Sequence, residues 1–239
     1  QLLDANKNPV MLEVRYPTVT ETDRFTTDET GSLTLPEMLQ AGVYYFRELS
    51  APEGYLLNGN DIQFEVKDSS DWENPIVVTC PDKPVKGKIR ITKTDAETGK
   101  PIPSGAEFEV TAAEDITTPD GTVRAVKGEV VTTVTTGSDG TVETDELFLG
   151  KYIAKEIKAP EGYLLNKQEF EVSLTYEDQE TEIVYGDVTV SDELAKGKIR
   201  ILKTDAETDK PIPTGAEFEV TAAEDITTPD GTVRAVKGE

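Results

Sequence analysis

The sequence predicts an all-β protein, tandem β-sandwich modules following one another as a rod. Three observations predict it. The chain repeats itself at an offset of 110 residues, its apolar residues alternate with period two, and turn residues break that alternation at short intervals.

Lys88 to Glu129 recurs as Lys198 to Glu239 with three changes: Thr92 to Leu202, Gly99 to Asp209 and Ser104 to Thr214. The front of the chain belongs to the same array. Glu48-Leu-Ser-Ala-Pro-Glu-Gly-Tyr-Leu-Leu-Asn58 matches Glu156-Ile-Lys-Ala-Pro-Glu-Gly-Tyr-Leu-Leu-Asn166, and Lys86-Gly-Lys88 matches Lys196-Gly-Lys198. The expected organisation is the back of one repeat (1–86), a complete repeat (87–196) and the front of a third (197–239). The junctions are a few residues around Lys-Gly-Lys, without a Gly/Ser tract to act as a tether.

Within the complete repeat, Ile89, Ile91 and Lys93 share a face opposite Arg90 and Thr92. Ala106, Phe108 and Val110 oppose Glu107 and Glu109, and Phe170, Val172 and Leu174 oppose Glu171 and Ser173. Such alternation marks antiparallel strands with one wet face. Asp95 to Gly99, Pro119-Asp-Gly121, Ser138-Asp-Gly140 and Ala159-Pro-Glu-Gly162 carry turn chemistry, giving about seven short strands and a hairpin turning at Thr118 to Gly121. Ala-Pro-Glu-Gly suits a type I turn that lets Tyr55 and Tyr163 pack back on the sandwich.

Composition excludes much chemistry. With no His, neither a Ser-His-Asp triad nor a His-ligated zinc can form, and the lone Cys80 permits no internal disulfide or thiolate cage. A net charge of -23 disfavours nucleic acid and anionic membrane surfaces. No apolar run is long enough to span a bilayer, and the start at Gln1 reads as a piece of a longer protein. No cofactor or metal is expected: Glu21 to Asp23 and Glu177 to Glu182 lack calcium-loop spacing and read as solvated faces. Cys80 falls on the inward face between Val78 and Asp82, as a small buried filler.

One anomaly remains. The apolar face Ile89, Ile91 continues to Lys93; Tyr152, Ala154 continues to Glu156; Val188, Val190 continues to Asp192. The first repeat shows Tyr44, Phe46, Glu48 and Val78, Cys80, Asp82, and the third shows Ile199, Ile201, Lys203. Buried charges are costly, so the three groups either form a salt-bridged cluster or lose their charges covalently. In the second case a neutral lysine amine attacks the aspartate carbonyl while Glu156 shuttles the proton.

These motifs resemble the collagen-adhesin B-type, or SpaA-like prealbumin-fold, repeats of Gram-positive surface proteins. The residues that carry it are Ile89-Arg-Ile-Thr-Lys93-Thr-Asp-Ala-Glu-Thr-Gly99, the Glu156-x-x-Ala-Pro-Glu-Gly-Tyr163 segment and Asp192 before Lys-Gly. The resemblance implies a prealbumin-like, Ig-like Greek-key sandwich and an autocatalytic isopeptide bond, with Lys93 as nucleophile, Asp192 as acceptor and Glu156 as single-turnover catalyst. Glu48 and Asp82, and separately Lys203, would hold the same roles in their repeats. Asp stands where the family more commonly has Asn; Asn166, the complete repeat's one Asn, is far from the last strand, and Asp187 is the rival acceptor.

The function so implied is a non-enzymatic stalk, extracellular and anchored to a cell wall. Its expected partners are neighbouring repeats in the same chain and a host extracellular-matrix ligand held by a tip domain outside these residues. Alternatives are modules that bind a host protein or glycan themselves, or a sortase-assembled pilus shaft, for which Tyr16-Pro17 is followed by Thr18 rather than a lysine.

Overall fold

The computed structural model describes residues 1–68, 74–103, 105–213 and 215–239, so Ser104 and Thr214, where the repeats differ, lie outside it. The described chain is strand, turn and loop, and no helix is long and apolar enough to cross a membrane. It divides into two compact units, one of Gln1–Lys86, Thr118–Asp120 and Tyr176–Val184, the other of Gly87–Thr117, Gly121–Thr175 and Tyr185–Glu239.

The first unit holds β1 (Leu2–Leu3), β2 (Leu12–Val14), β3 (Thr20–Thr22), β4 (Gly42–Phe46) and β5 (Ile62–Val66). Strands β1, β4 and β5 form one antiparallel sheet, with Tyr44 and Phe46 stacked against Phe64, and β2 pairs with β3. Leu2, Leu3 and Leu12 are buried here.

The complete repeat is built on β6 (Lys86–Asp95), β7 (Glu107–Ala112), β8 (Ile116–Thr117), β9 (Val123–Ala125), β10 (Val130–Thr135), β11 (Thr141–Glu143), β12 (Leu147–Phe148), β13 (Gly150–Lys158), β14 (Glu169–Leu174) and β15 (Ile183–Asp192). One sheet runs β10-β7-β13-β14; the other runs β11-β6-β12, with β15 also on β6. The hairpin β8–β9 turns at Thr118 to Gly121 as the sequence predicts.

Alternation decides the core. Ile89, Ile91, Phe108, Val110, Tyr152, Ala154, Val172, Leu174, Val188 and Val190 are buried from the inner faces of the two sheets, while the intervening residues face out. Where β15 packs against β14 of the facing sheet, one side chain is absent. A Cβ on Gly186 of β15 would lie 2.5 Å from Val172 Cγ1 and 3.2 Å from Leu174 Cδ2 of the opposite sheet.

The pairing of β15 with β6 differs from the antiparallel expectation. Lys86 N donates to Glu182 O and Ala96 N to Asp192 O, a ten-residue advance on both strands, so the first and last strands run parallel. The Ala-Pro-Glu-Gly-Tyr turn is also shifted by one residue from the type I reading. Tyr163 N donates to Pro160 O, and Gly162 at the third position has φ +83°, the signature of a type II turn. Tyr163 does pack back, 7% exposed.

Four inward placements fail where no strand pairs with the segment. Cys80 is exposed rather than a core filler, because residues 75–83 form no strand and no sheet covers them. Ile199 and Ile201 are 80% and 48% exposed and Lys203 is exposed, for the same reason. Among the described residues of 197–239 the strands are β16 (Ile226–Thr227) and β17 (Val233–Ala235), which pair as a hairpin.

Gly186→Ala should lower stability by about 1–3 kcal/mol, since its methyl overlaps core side chains on both sides. Urea denaturation of the full chain measures it; an unchanged midpoint would show that the sheets can part without cost.

Candidate functional site

Lys93 lies near the C-terminal end of β6, inward like Ile89 and Ile91, and its backbone is held on both sides. Its N donates to Gly140 O at 2.8 Å and its O accepts from Ile102 N at 2.9 Å. Gly140 has φ +76°, and a Cβ there would come within 2.9 Å of Ile102 O, so this close approach requires glycine.

Glu156 comes from β13 in the facing sheet. Directly after it the register of β13 against β7 shifts, with Glu156 opposite Phe108 and Lys158 opposite Glu107. The extra residue, Ile157, is turned outward and 44% exposed. A bulge at this point bends the strand beside the candidate carboxylate, a common place for one. Asp192 is the last residue of β15, in phase with Val188 and Val190.

The three side chains meet in the core. Lys93 Nζ lies 2.8 Å from Glu156 Oε1 and donates to Asp192 Oδ1, and all three side chains are 0% exposed. The Phe108 ring sits 5.6 Å from the amine. Asp187 faces outward and pairs with Arg90 Nη1 at 3.4 Å, away from the amine.

Burial pushes the Asp192 carboxyl up to about 6. The Lys93 charge and hydrogen bond act against that shift, and the Glu156 carboxyl adds to it. Asp192 Oδ2 is buried without a hydrogen-bond partner among the described residues. The amine therefore sits against a carboxyl group shifted toward its protonated, electrophilic form, with a second carboxyl in reach of the same nitrogen. That arrangement suits amide formation with loss of water.

Asn166, which sequence reasoning excludes as acceptor, has a place in the candidate site that the same reasoning does not find. Its backbone N donates to Glu156 Oε2 at 2.8 Å, and its Nδ2 donates to Ser191 O at 3.0 Å, tying the catalyst candidate to the end of β15. The first unit repeats the arrangement: Asn58 N donates to Glu48 Oε2 at 2.7 Å, and Asn58 Nδ2 to Pro81 O at 3.2 Å. The recurring Leu-Leu-Asn is the signal that could have found it.

Glu48, Cys80 and Asp82 bring their ligand atoms within 4.8 Å of one another. Burial, and secondarily the Asp82 charge, raise the Glu48 pKa against the Asn58 hydrogen bond, and Asp82 Oδ1 is buried without a hydrogen-bond partner among the described residues. In the complete repeat the corresponding space is taken by the Lys93 amine. The Lys203 side chain is brought to neither carboxylate pair.

A Lys93→Met chain keeps Asp192 buried and removes the cation that opposes its upward shift. A carboxyl whose folded pKa is raised contributes stability fully below its ordinary value near 3.8, and that contribution is lost as pH rises through the folded value, about 6 with Lys93 in place and higher without it. Urea midpoints of Lys93→Met should therefore fall between about pH 4 and about pH 7 relative to Lys93→Met/Asp192→Asn. Parallel pH profiles for the two would contradict the shift.

The family model of the SpaA prealbumin-like fold domain matches residues 1–77 and 87–189. Among solved structures, the Bacillus anthracis TIE protein aligns at 25% identity and a TM-score of 0.53, over 80% of this chain and 32% of that one. The group B streptococcus pilus 2b backbone protein aligns at 22% identity and a TM-score of 0.37, over 68% of this chain and 52% of that one. The major pilin subunit of Bacillus cereus aligns at 22% identity and a TM-score of 0.33, over 65% of this chain and 40% of that one. The chain thus spans about a third of the TIE protein's length. No curated protein matches it. With a two-sheet repeat of the expected kind and a family match over most of its length, the chain belongs to the SpaA prealbumin-like fold domain family.

Proposed function

We propose that this chain is a load-bearing shaft segment of an extracellular surface protein, and that its complete repeat closes an isopeptide bond between Lys93 and Asp192. The observation that carries the proposal is the fully buried Lys93, Glu156 and Asp192 cluster. A salt bridge alone is weak motivation for burying three ionisable groups, since such clusters stabilise little over apolar packing. A neutral amide removes the cost.

In the reaction the neutral Lys93 amine attacks Cγ of the protonated Asp192 carboxyl, and the nitrogen passes one of its two protons to Glu156. The tetrahedral adduct then collapses as Glu156 returns that proton to the departing hydroxyl, which leaves as water while the amide keeps one N–H. Glu156 ends as it began, acts once per chain, and the repeat is not an enzyme in the turnover sense. Asn166 N fixes one Glu156 oxygen so that the other faces the amine.

The parallel pairing of β6 and β15 gives the bond a mechanical role. The chain enters the repeat at Lys86, climbs β6 to Lys93 and leaves just past Asp192. A cross-link there carries tension from entry to exit and leaves the residues between out of the load path. The thermodynamic gain from closing a loop of 99 residues is about 4–5 kcal/mol by analogy with a disulfide of that span. Resistance to pulling is much larger, because the covalent tether must break before the repeat extends.

Intact-mass spectrometry of the full chain should give the sequence mass less one water, with the deficit abolished in Lys93→Ala and in Glu156→Ala. A native chain at full sequence mass would refute the bond. Under force, native chains should show no unfolding event for the complete repeat, whereas Lys93→Ala should release roughly 340 Å of chain as it opens. Equal extension in both would remove the load-bearing reading.

A further inference from the structure

The sequence Thr-Pro-Asp-Gly occurs at 118–121 and at 228–231, each time at the turn of a short hairpin, β8–β9 and β16–β17. Both times its proline lies near the glycine of a Pro-Glu-Gly-Tyr turn. In the first unit a Cβ on Gly54 would lie 2.9 Å from Pro119 Cγ, and in the second a Cβ on Gly162 would lie 3.8 Å from Pro229 Cγ. Both glycines have left-handed φ, +88° and +83°.

Polar contacts complete the seat in the second unit. Thr98 Oγ1 donates to Asp230 Oδ2 at 2.9 Å and Lys100 Nζ donates to Thr232 Oγ1 at 3.2 Å. Arg234 Nη1 donates to Glu97 Oε2 at 2.8 Å, and Arg234 Nη2 lies 3.6 Å from Asp95 Oδ2. Asp95 Oδ2 also accepts from the Tyr163 hydroxyl at 3.0 Å, joining the turn after β6 to the Pro160–Tyr163 turn.

The hairpin has little to hold it otherwise. A two-stranded hairpin alone is marginal in water, and Ile226 and Val233 are 51% and 56% exposed, so β16–β17 has no core of its own. Each exposed ion pair is weak singly. Here they act together with a proline seat, and on one element.

We propose that this hairpin is a coupling element between consecutive repeats. Its Thr-Pro-Asp-Gly turn and following arginine dock on the preceding repeat, on the turn after β6 and the Glu-Gly-Tyr turn. The receiving surface lies at the end of the repeat where Lys93 and Asp192 meet: Ala96 N bonds Asp192 O, and Lys196 just beyond β15 pairs with Glu97. The docking chemistry is a proline-tipped hairpin carrying one arginine, set against a turn that carries Asp95 and Glu97. The inference is independent of isopeptide formation.

Trypsin digestion of the full chain, read by peptide mass, tests it. Arg124 and Arg234 lie in identical Thr-Val-Arg-Ala-Val-Lys sequences, so cleavage after Arg124 is an internal reference for a folded repeat. Glu97→Ala/Thr98→Ala, at two exposed turn positions, should speed cleavage after Arg234 severalfold and leave cleavage after Arg124 unchanged. Equal cleavage after Arg234 in native and variant chains overturns the proposal. Should both sites cleave faster in that variant, Thr98→Val, which removes the hydroxyl and leaves Glu97 in place, decides by the same comparison of Arg234 with Arg124.

Discussion

A lysine ammonium enclosed by two carboxyl groups in an otherwise apolar interior is the constraint around which the complete repeat is arranged. Desolvating such a set is expensive, and bringing its members together requires three strands from two sheets to converge at one point. The bulge after Glu156, the glycine at 140, the paired bonds of Asn166 and the glycine at 186 each serve that convergence. Two of these are places where a side chain is missing so that something else can come close.

The family's architecture and the three central residues were legible in the sequence for one physical reason. In a strand, side-chain direction is fixed by parity, so a charged residue in phase with Ile89 and Ile91, or with Val188 and Val190, can point only inward. Parity loses its meaning where a segment has no partner strand. Cys80 and the Ile199, Ile201, Lys203 series carry the same alternation as their buried equivalents and are exposed, because burial belongs to the sheet and not to the segment.

What sequence reading missed was backbone work. The contribution of Asn166 to Glu156 comes from its main-chain N–H, which every residue but proline possesses, so no side-chain logic points to it. The type II form of the Pro-Glu-Gly-Tyr turn was obscured in the same way: both readings place the same residues in a turn, and only the φ of Gly162 distinguishes them. The parallel first and last strands likewise leave no mark on local pattern, since an alternating strand reads alike in either direction.

The distance along the chain between Lys93 and Asp192, 99 residues, sets an order of events. The amine belongs to the first strand of the repeat and its carboxyl partner to the last, so they can meet only once everything between has been made and folded. Contacts of such separation form late, after the entropy of closing the loop has been overcome. A chain that stalls, is cut short, or folds with the wrong strand beside β6 never assembles the group of three. The site thus reports completion: the proposed bond would be open to correctly finished repeats and closed to the rest, so that fidelity of folding and permanence of structure would be settled in a single step.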